Sequence, residues 1–161
     1  MEIVPAWDHL PQHLSWKERV CLLTYHSLTH GEQQATPLAH IFESGLYIRE
    51  MRIPAGVLLT GREHLLGHKL ELISGSAILF APDGKHRFDA YASIDTRPGF
   101  HAVAYTLTDV VSSTVHPNPE ECRDVKVLED RWFGGAQPVI DEGRLIFEEL
   151  QCQQPSLQPA H

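Results

Sequence analysis

His64 and His68 flank a tight Leu65-Leu66-Gly67 connection within the stretch Gly61-Arg62-Glu63-His64-Leu65-Leu66-Gly67-His68. If His64 ends one strand and His68 begins the next, both imidazoles point into one interior. Imidazoles converging from neighbouring strands are what a protein-bound divalent metal requires. A second pair lies further along. Residues 101–107 and 110–116 read as strands on either side of Thr108-Asp109. Antiparallel pairing about that turn sets His101 opposite His116. Cross-strand partners approach to about 4.5–5.5 Å at Cβ, close enough to share an ion. A register slip of one residue would turn one of the two outward. The candidate metal ligands are thus His64, His68, His116 and His101. The candidate cofactor is a divalent ion (Zn, Fe, Mn or Ni), and imidazole ligation does not choose among these.

Around such a site, Arg49, Arg62 and Tyr105 are candidates to bind substrate. Tyr47, Glu50 and Glu63 are further candidates for proton transfer. Strand alternation puts Tyr47 and Arg49 on one face and Glu50 on the other. Glu71 is opposite in parity to His68, so it is no substitute carboxylate ligand. His86 follows a Pro-Asp-Gly turn and reads as solvated, and His40, between apolar neighbours, as a structural histidine. A zinc ion would favour hydrolysis by an activated water, and ferrous iron oxygen chemistry or isomerisation. The alternative is a non-catalytic module that binds a small ligand or a protein. No nucleophile elbow, phosphate loop or zinc-finger spacing competes.

The elements that must position these residues follow from pattern. Residues 1–35 contain a helix over about 15–28, with Ser15 and Glu18 at capping-box spacing and Gly31 beyond its end. Residues 36–117 read as β. Leu46–Ile53, Val57–Leu59, Lys69–Ile73, Ala77–Phe80, Arg87–Ala92, His101–Leu107 and Val110–Val115 are runs rich in apolar and β-branched residues. Turn residues such as Pro82-Asp83-Gly84 separate them, the pattern of an antiparallel sandwich or barrel. In 118–161, Asn118-Pro119 followed by two glutamates predicts a helix over about 119–129. Asp141 to Cys152 predicts a last helix with Leu145, Ile146 and Leu150 as its apolar stripe. A frayed polar end follows.

Composition bounds the partners. The 161 residues carry 13 Lys+Arg and 21 Asp+Glu, a formal net charge of −8. That argues against a nucleic-acid binder, which needs a basic face. No apolar run is long enough to cross a membrane as a helix. The first residues lack the basic start and apolar run of a signal peptide. Three scattered cysteines suit a reducing compartment, so a cytoplasmic protein is expected.

The stretch from Gly61 through His64 and His68 to Gly75 resembles the first motif of the cupin superfamily. There a His-x-His pair is followed by a Glu and then a Gly. Arg62 stands where the first His would be, His64 matches the second, and His68 takes the place of the Glu. Arg97-Pro98-Gly99 resembles the turn of the second motif, whose histidine falls at Ala102, one residue past His101. Small cupin-like proteins of tailed phages and prophages are closer. They share the pattern Pro37-x-x-His40-x-Phe42-x-x-Gly45-x-Tyr47-x-Arg49-Glu50, then Ile53-Pro54-x-Gly56, Gly61-x-x-His64-x-x-x-His68, Pro98-Gly99, Tyr105, Asp109 and His116. The resemblance covers roughly residues 36–129. It implies an all-β, double-stranded β-helix or jelly-roll barrel with helical ends. It includes His40, His64, His68 and His116, not His101, and implies no particular reaction. As a phage or prophage accessory protein, the chain would take a small molecule or a host protein as partner, and a homodimer is compatible with the fold.

Overall fold

The computed structural model describes residues 5–153, and the polar end expected to fray lies mostly outside that range. The chain forms two compact units. The first combines the N-terminal segment to Gln33 with the segment from Ala136. It holds α1 (Pro5–Asp8), α2 (Trp16–His30) and α4 (Ala136–Gln153). Ser15 caps α2 as the spacing predicts. Its hydroxyl accepts from the Glu18 amide, and the Glu18 carboxylate accepts from the Ser15 amide at 2.7 Å. Gln137-Pro138 falls in the first turn of α4, where a missing N–H leaves no bond unmade. The expected apolar stripe of α4 is corrected in part, because Leu145 is 60% exposed. The buried residue of this helix is Gly143. A Cβ there would lie 2.1 Å from the Cys21 carbonyl oxygen. Only glycine lets the backbones of α2 and α4 come so close.

The second unit, Gln34–Gly135, holds nine strands and α3 (Val125–Trp132) among the described residues. The strands are β1 (Leu38–Glu43), β2 (Leu46–Ile53), β3 (Leu58–His64), β4 (Lys69–Ser74), β5 (Ser76–Ala81), β6 (Gly84–Asp89), β7 (Ala92–Asp95), β8 (Phe100–Thr106) and β9 (Val110–Pro117). They form two antiparallel sheets, β1-β2-β9-β4-β7 and β3-β8-β5-β6. Antiparallel sheets with flanking helices match the expected β fold with helical ends, although the chain is not strictly all-β and the strands form two sheets rather than one continuous barrel. The 87–92 run is split between β6 and β7, and β1 extends the first sheet at its edge.

Strand β8 pairs with β3 and β5, whereas β9 pairs with β2 and β4. The predicted hairpin about Thr108-Asp109 does not form. Those residues instead carry the chain from one sheet to the other, against a second crossing at Gly75. The Thr108 hydroxyl accepts from the Ser76 amide at 2.9 Å, and the Leu107 amide donates to the Ser76 carbonyl at 2.9 Å. Gly75 has φ +87, and a Cβ there would sit 2.1 Å from the Asp109 carbonyl oxygen. The two crossings pack so closely that only glycine fits between them.

Between the two sheets lies a partly open pocket of about 100 Å³ walled mainly by aliphatic side chains, among them Leu59, Leu70, Leu72, Leu79 and Ile94. Cross-strand partners project to the same face of a sheet. Leu70 pairs with Thr114, and Leu59 with Ala104, so Thr114 and Ala104 face inward as well. Along β3 the register shifts by one residue between Thr60 and Glu63. This bulge leaves His64 opposite Phe100 and Glu63 opposite His101.

The helix predicted over 119–129 begins later. The Asn118 side chain accepts from the Cys122 amide at 3.1 Å and donates to its carbonyl at 2.8 Å. This closes a tight turn with Glu121 at φ 51. Asp124 is the actual N-cap, accepting from the Lys126 and Val127 amides.

A candidate metal centre of three buried histidines

The segment after α3 pairs with the end of β3. The Gly134 amide donates to Glu63, and the Leu65 amide to Trp132, each at 2.9 Å. Phe133 thereby bridges to His64. The bulge in β3, which sets His64 opposite Phe100 on the face of Ala104, turns His64 inward at the end of the strand. His68 precedes β4 on the inward face of Leu70, and His116, next to last in β9, lies on the inward face of Thr114. The ligand atoms of His64, His68 and His116 lie within 4.8 Å of one another. Their rings stack, with centroids 3.8 Å apart for His64–His68 and 5.1 Å for His68–His116. His64 and His68 are 6% exposed and His116 is 0% exposed.

Burial acts first on these imidazoles, because it penalises the charged form. His116 is pushed down to about 3, helped by His68 and Arg49. His64 is pushed to about 2 by burial and then by its neighbouring imidazoles, and His68 to about 4. At neutral pH all three are therefore neutral, the state in which a histidine binds a metal.

The donor set fits a cation. Nδ1 of His64, Nε2 of His68 and Nδ1 of His116 are buried with no hydrogen-bond partner. Buried polar atoms are rarely left so, and one shared cation would give all three a partner. The opposite nitrogens of His68 and His116 are held. Nδ1 of His68 is 2.7 Å from the Thr96 hydroxyl, which also donates to the His68 carbonyl. With Nδ1–H donating to Thr96, the Nε2 lone pair is free. Nε2 of His116 lies 3.1 Å from the Thr114 hydroxyl. Such partners fix ring orientation in metal sites.

Aromatic and charged groups surround the three rings. Trp132 lies 4.4 Å from His116, and Phe133 presents an edge to His64 at 4.7 Å. Arg49 and Arg62 lie over the Phe133 ring at 4.3 and 4.9 Å. Both guanidiniums reach the Glu129 carboxylate at 3.5 Å. Tyr47, 0% exposed, sits beside His116 and is hydrogen-bonded to His40 Nδ1 at 2.8 Å. Burial pushes its phenol up.

The structure thus gathers His64, His68, His116, Arg49 and Arg62. His101 is not part of the close-lying trio, although it is near enough to act electrostatically on His64, and nothing joins Tyr105 to the trio among the described contacts. Both pair within the second sheet on the face of Val103, opposite to Phe100 and His64. His101 instead stands across from Glu63, because β8 and β9 lie in different sheets. Glu129, Trp132 and Phe133 were not legible as site residues. Trp132-Phe133-Gly134-Gly135 reads in the sequence as a break, with nothing to show what it would cover.

No protein-family model matches the chain, and no curated protein matches it. Solved structures similar to it include cupin domains. A cupin superfamily protein from Desulfitobacterium hafniense DCB-2 is 13% identical, over 67% of this chain and 94% of that one, at a TM-score of 0.46. An RmlC-like cupin family protein with a double-stranded β-helix fold, from Methanocaldococcus jannaschii, is 12% identical over 56% and 87%, at 0.44. A cupin-2 domain containing protein from Shewanella frigidimarina NCIMB 400 is 9% identical over 53% and 84%, at 0.43.

Proposed function

We propose that this is a cupin-type protein that binds one divalent metal through His64, His68 and His116. The observation that carries the reading is the trio of neutral, buried imidazoles whose ligand atoms lie within 4.8 Å of one another, each with an unpartnered nitrogen. Three protein nitrogens leave a position for an exogenous ligand, as in catalytic rather than closed structural sites. A metal held there supplies a Lewis acid and, as zinc, a bound water acidic enough to ionise near neutral pH. The chain's own part is to keep the imidazoles neutral, to orient two of them through Thr96 and Thr114, and to exclude bulk water with Trp132, Phe133 and Phe100. Zinc, iron, manganese and nickel all accept such a donor set. A place among phage and prophage proteins rests on the shared residue pattern from Pro37 to His116.

Elemental analysis of protein purified without a His tag tests this. A metal content near one per chain is expected, lost in a His64→Ala/His68→Ala variant that keeps its circular dichroism spectrum. Absence of metal after incubation with each of the four ions would overturn the reading.

A further inference from the structure

We infer that the site takes an oxyanion, the charged head of a small molecule, held by Arg49, Arg62 and the Trp132 indole beside the metal. The inference deepens the metal reading and rests on it for its full strength. Three neutral imidazoles do nothing to offset the charge of a divalent cation. The Glu129 carboxylate is already shared between two guanidiniums. A loaded site therefore keeps a net positive charge in surroundings where Arg49 is only 13% exposed in its side chain. Buried charge demands a counter-charge.

Hydrogen bonding points the same way. Nε of Arg49, Nε of Arg62 and Nε1 of Trp132 are all buried donors without a partner. They belong to the same cluster, since both arginines lie over Phe133 while Trp132 packs on His116. Phe133 covers a face of each guanidinium, one Nη of each goes to Glu129, and the second Nη of Arg62 donates to the Gly134 carbonyl at 3.3 Å, which leaves the in-plane Nε–H groups to bind. A planar fork of donors is the arrangement that recognises carboxylate and phosphate oxygens. Arg62 has a side chain 36% exposed, which gives the anion a way in from solvent.

The test uses protein loaded with Co²⁺, whose visible spectrum reports its ligands, with metal content measured first. Acetate, inorganic phosphate and, as a neutral isostere, acetamide are titrated at constant ionic strength. A saturable change is expected with one or both anions and none with acetamide. The anion that binds distinguishes a carboxylate from a phosphate head. Affinity should fall about tenfold in Arg62→Gln and in Arg49→Gln at unchanged Co²⁺ content, and rise in Glu129→Gln, which frees both guanidiniums. Bound Co²⁺ without a response to either anion would overturn the inference while leaving the metal reading intact. So would an anion affinity unchanged in Arg62→Gln, the variant more tolerant of folding. If no Co²⁺ binds, the metal reading fails, and calorimetry of both anions with metal-free protein decides the rest. Heat of binding lost in Arg62→Gln supports the arginine site, and no heat overturns it.

Discussion

A histidine serves a metal only when it is neutral and correctly turned, and here separate residues see to each condition. Burial keeps His64, His68 and His116 uncharged, while Thr96 turns His68. The Thr96 hydroxyl also accepts from the His68 amide at 3.1 Å, so one side chain fixes both backbone and ring. Thr96→Val keeps the shape and removes the hydroxyl. Metal affinity should then fall about 10- to 100-fold, and stability by about 1–2 kcal/mol because buried groups lose their partner. Competition with a chelator and a thermal melt check the two effects. A full-strength site in the variant would show that Thr96 does not orient the ring. At this scale His64 and His68 were legible because their spacing is local. His101 was not excluded, because its side follows from a pairing partner far away in sequence.

Elements were legible where their signals are local. The bounds of β2 and the capping box of α2 match the residues that predict them. The failures concern tertiary competition. Asn118-Pro119 has the chemistry of a helix start, yet the Asn118 side chain is spent on Cys122 in a tight turn. Thr108-Asp109 has the length of a hairpin turn, yet it packs against the Gly75 crossing. Helix α4 offers a sequence stripe of Leu145, Ile146 and Leu150, whereas its closest approach to α2 is at Gly143, with Phe147 against Tyr25. Gly143→Ala decides between two effects of opposite sign. Helix propensity favours alanine by about 1 kcal/mol. The added Cβ would lie 2.1 Å from the Cys21 carbonyl oxygen, and overpacking costs typically 1–3 kcal/mol or more. A lower melting temperature by circular dichroism is therefore expected, and a higher one would show that the helices can move apart. The bulge in β3 allows another test. It supplies one residue more than the pairing with β8 needs, in the stretch that holds Arg62. Deleting Arg62 should leave His64 opposite Phe100, so metal content should persist while anion affinity drops.

Over the whole molecule the depressed histidines make stability depend on pH. An unfolded histidine titrates near 6.5, whereas these three do so at about 4, 3 and 2 in the folded chain. Between those values the unfolded state binds more protons. Stability is therefore fully present above about pH 6.5 and is lost as the pH falls. Each histidine contributes a slope of up to about 1.4 kcal/mol per pH unit. Metal-free protein should show a melting temperature nearly flat from pH 8 to 7 and falling steeply towards pH 5. The His64→Ala/His68→Ala variant should show a weaker acid dependence. Equal slopes in the two proteins would place the acid sensitivity elsewhere. Apart from the β1–β2 and β5–β6 connections, each link between successive strands changes sheet. Contacts remote in sequence dominate such a topology, and chains of this kind fold slowly. The metal site draws on β3, β9 and the approach to β4, so it is complete only when both sheets have met. A bound ion should therefore slow the unfolding of the native state and leave the rate of refolding almost untouched.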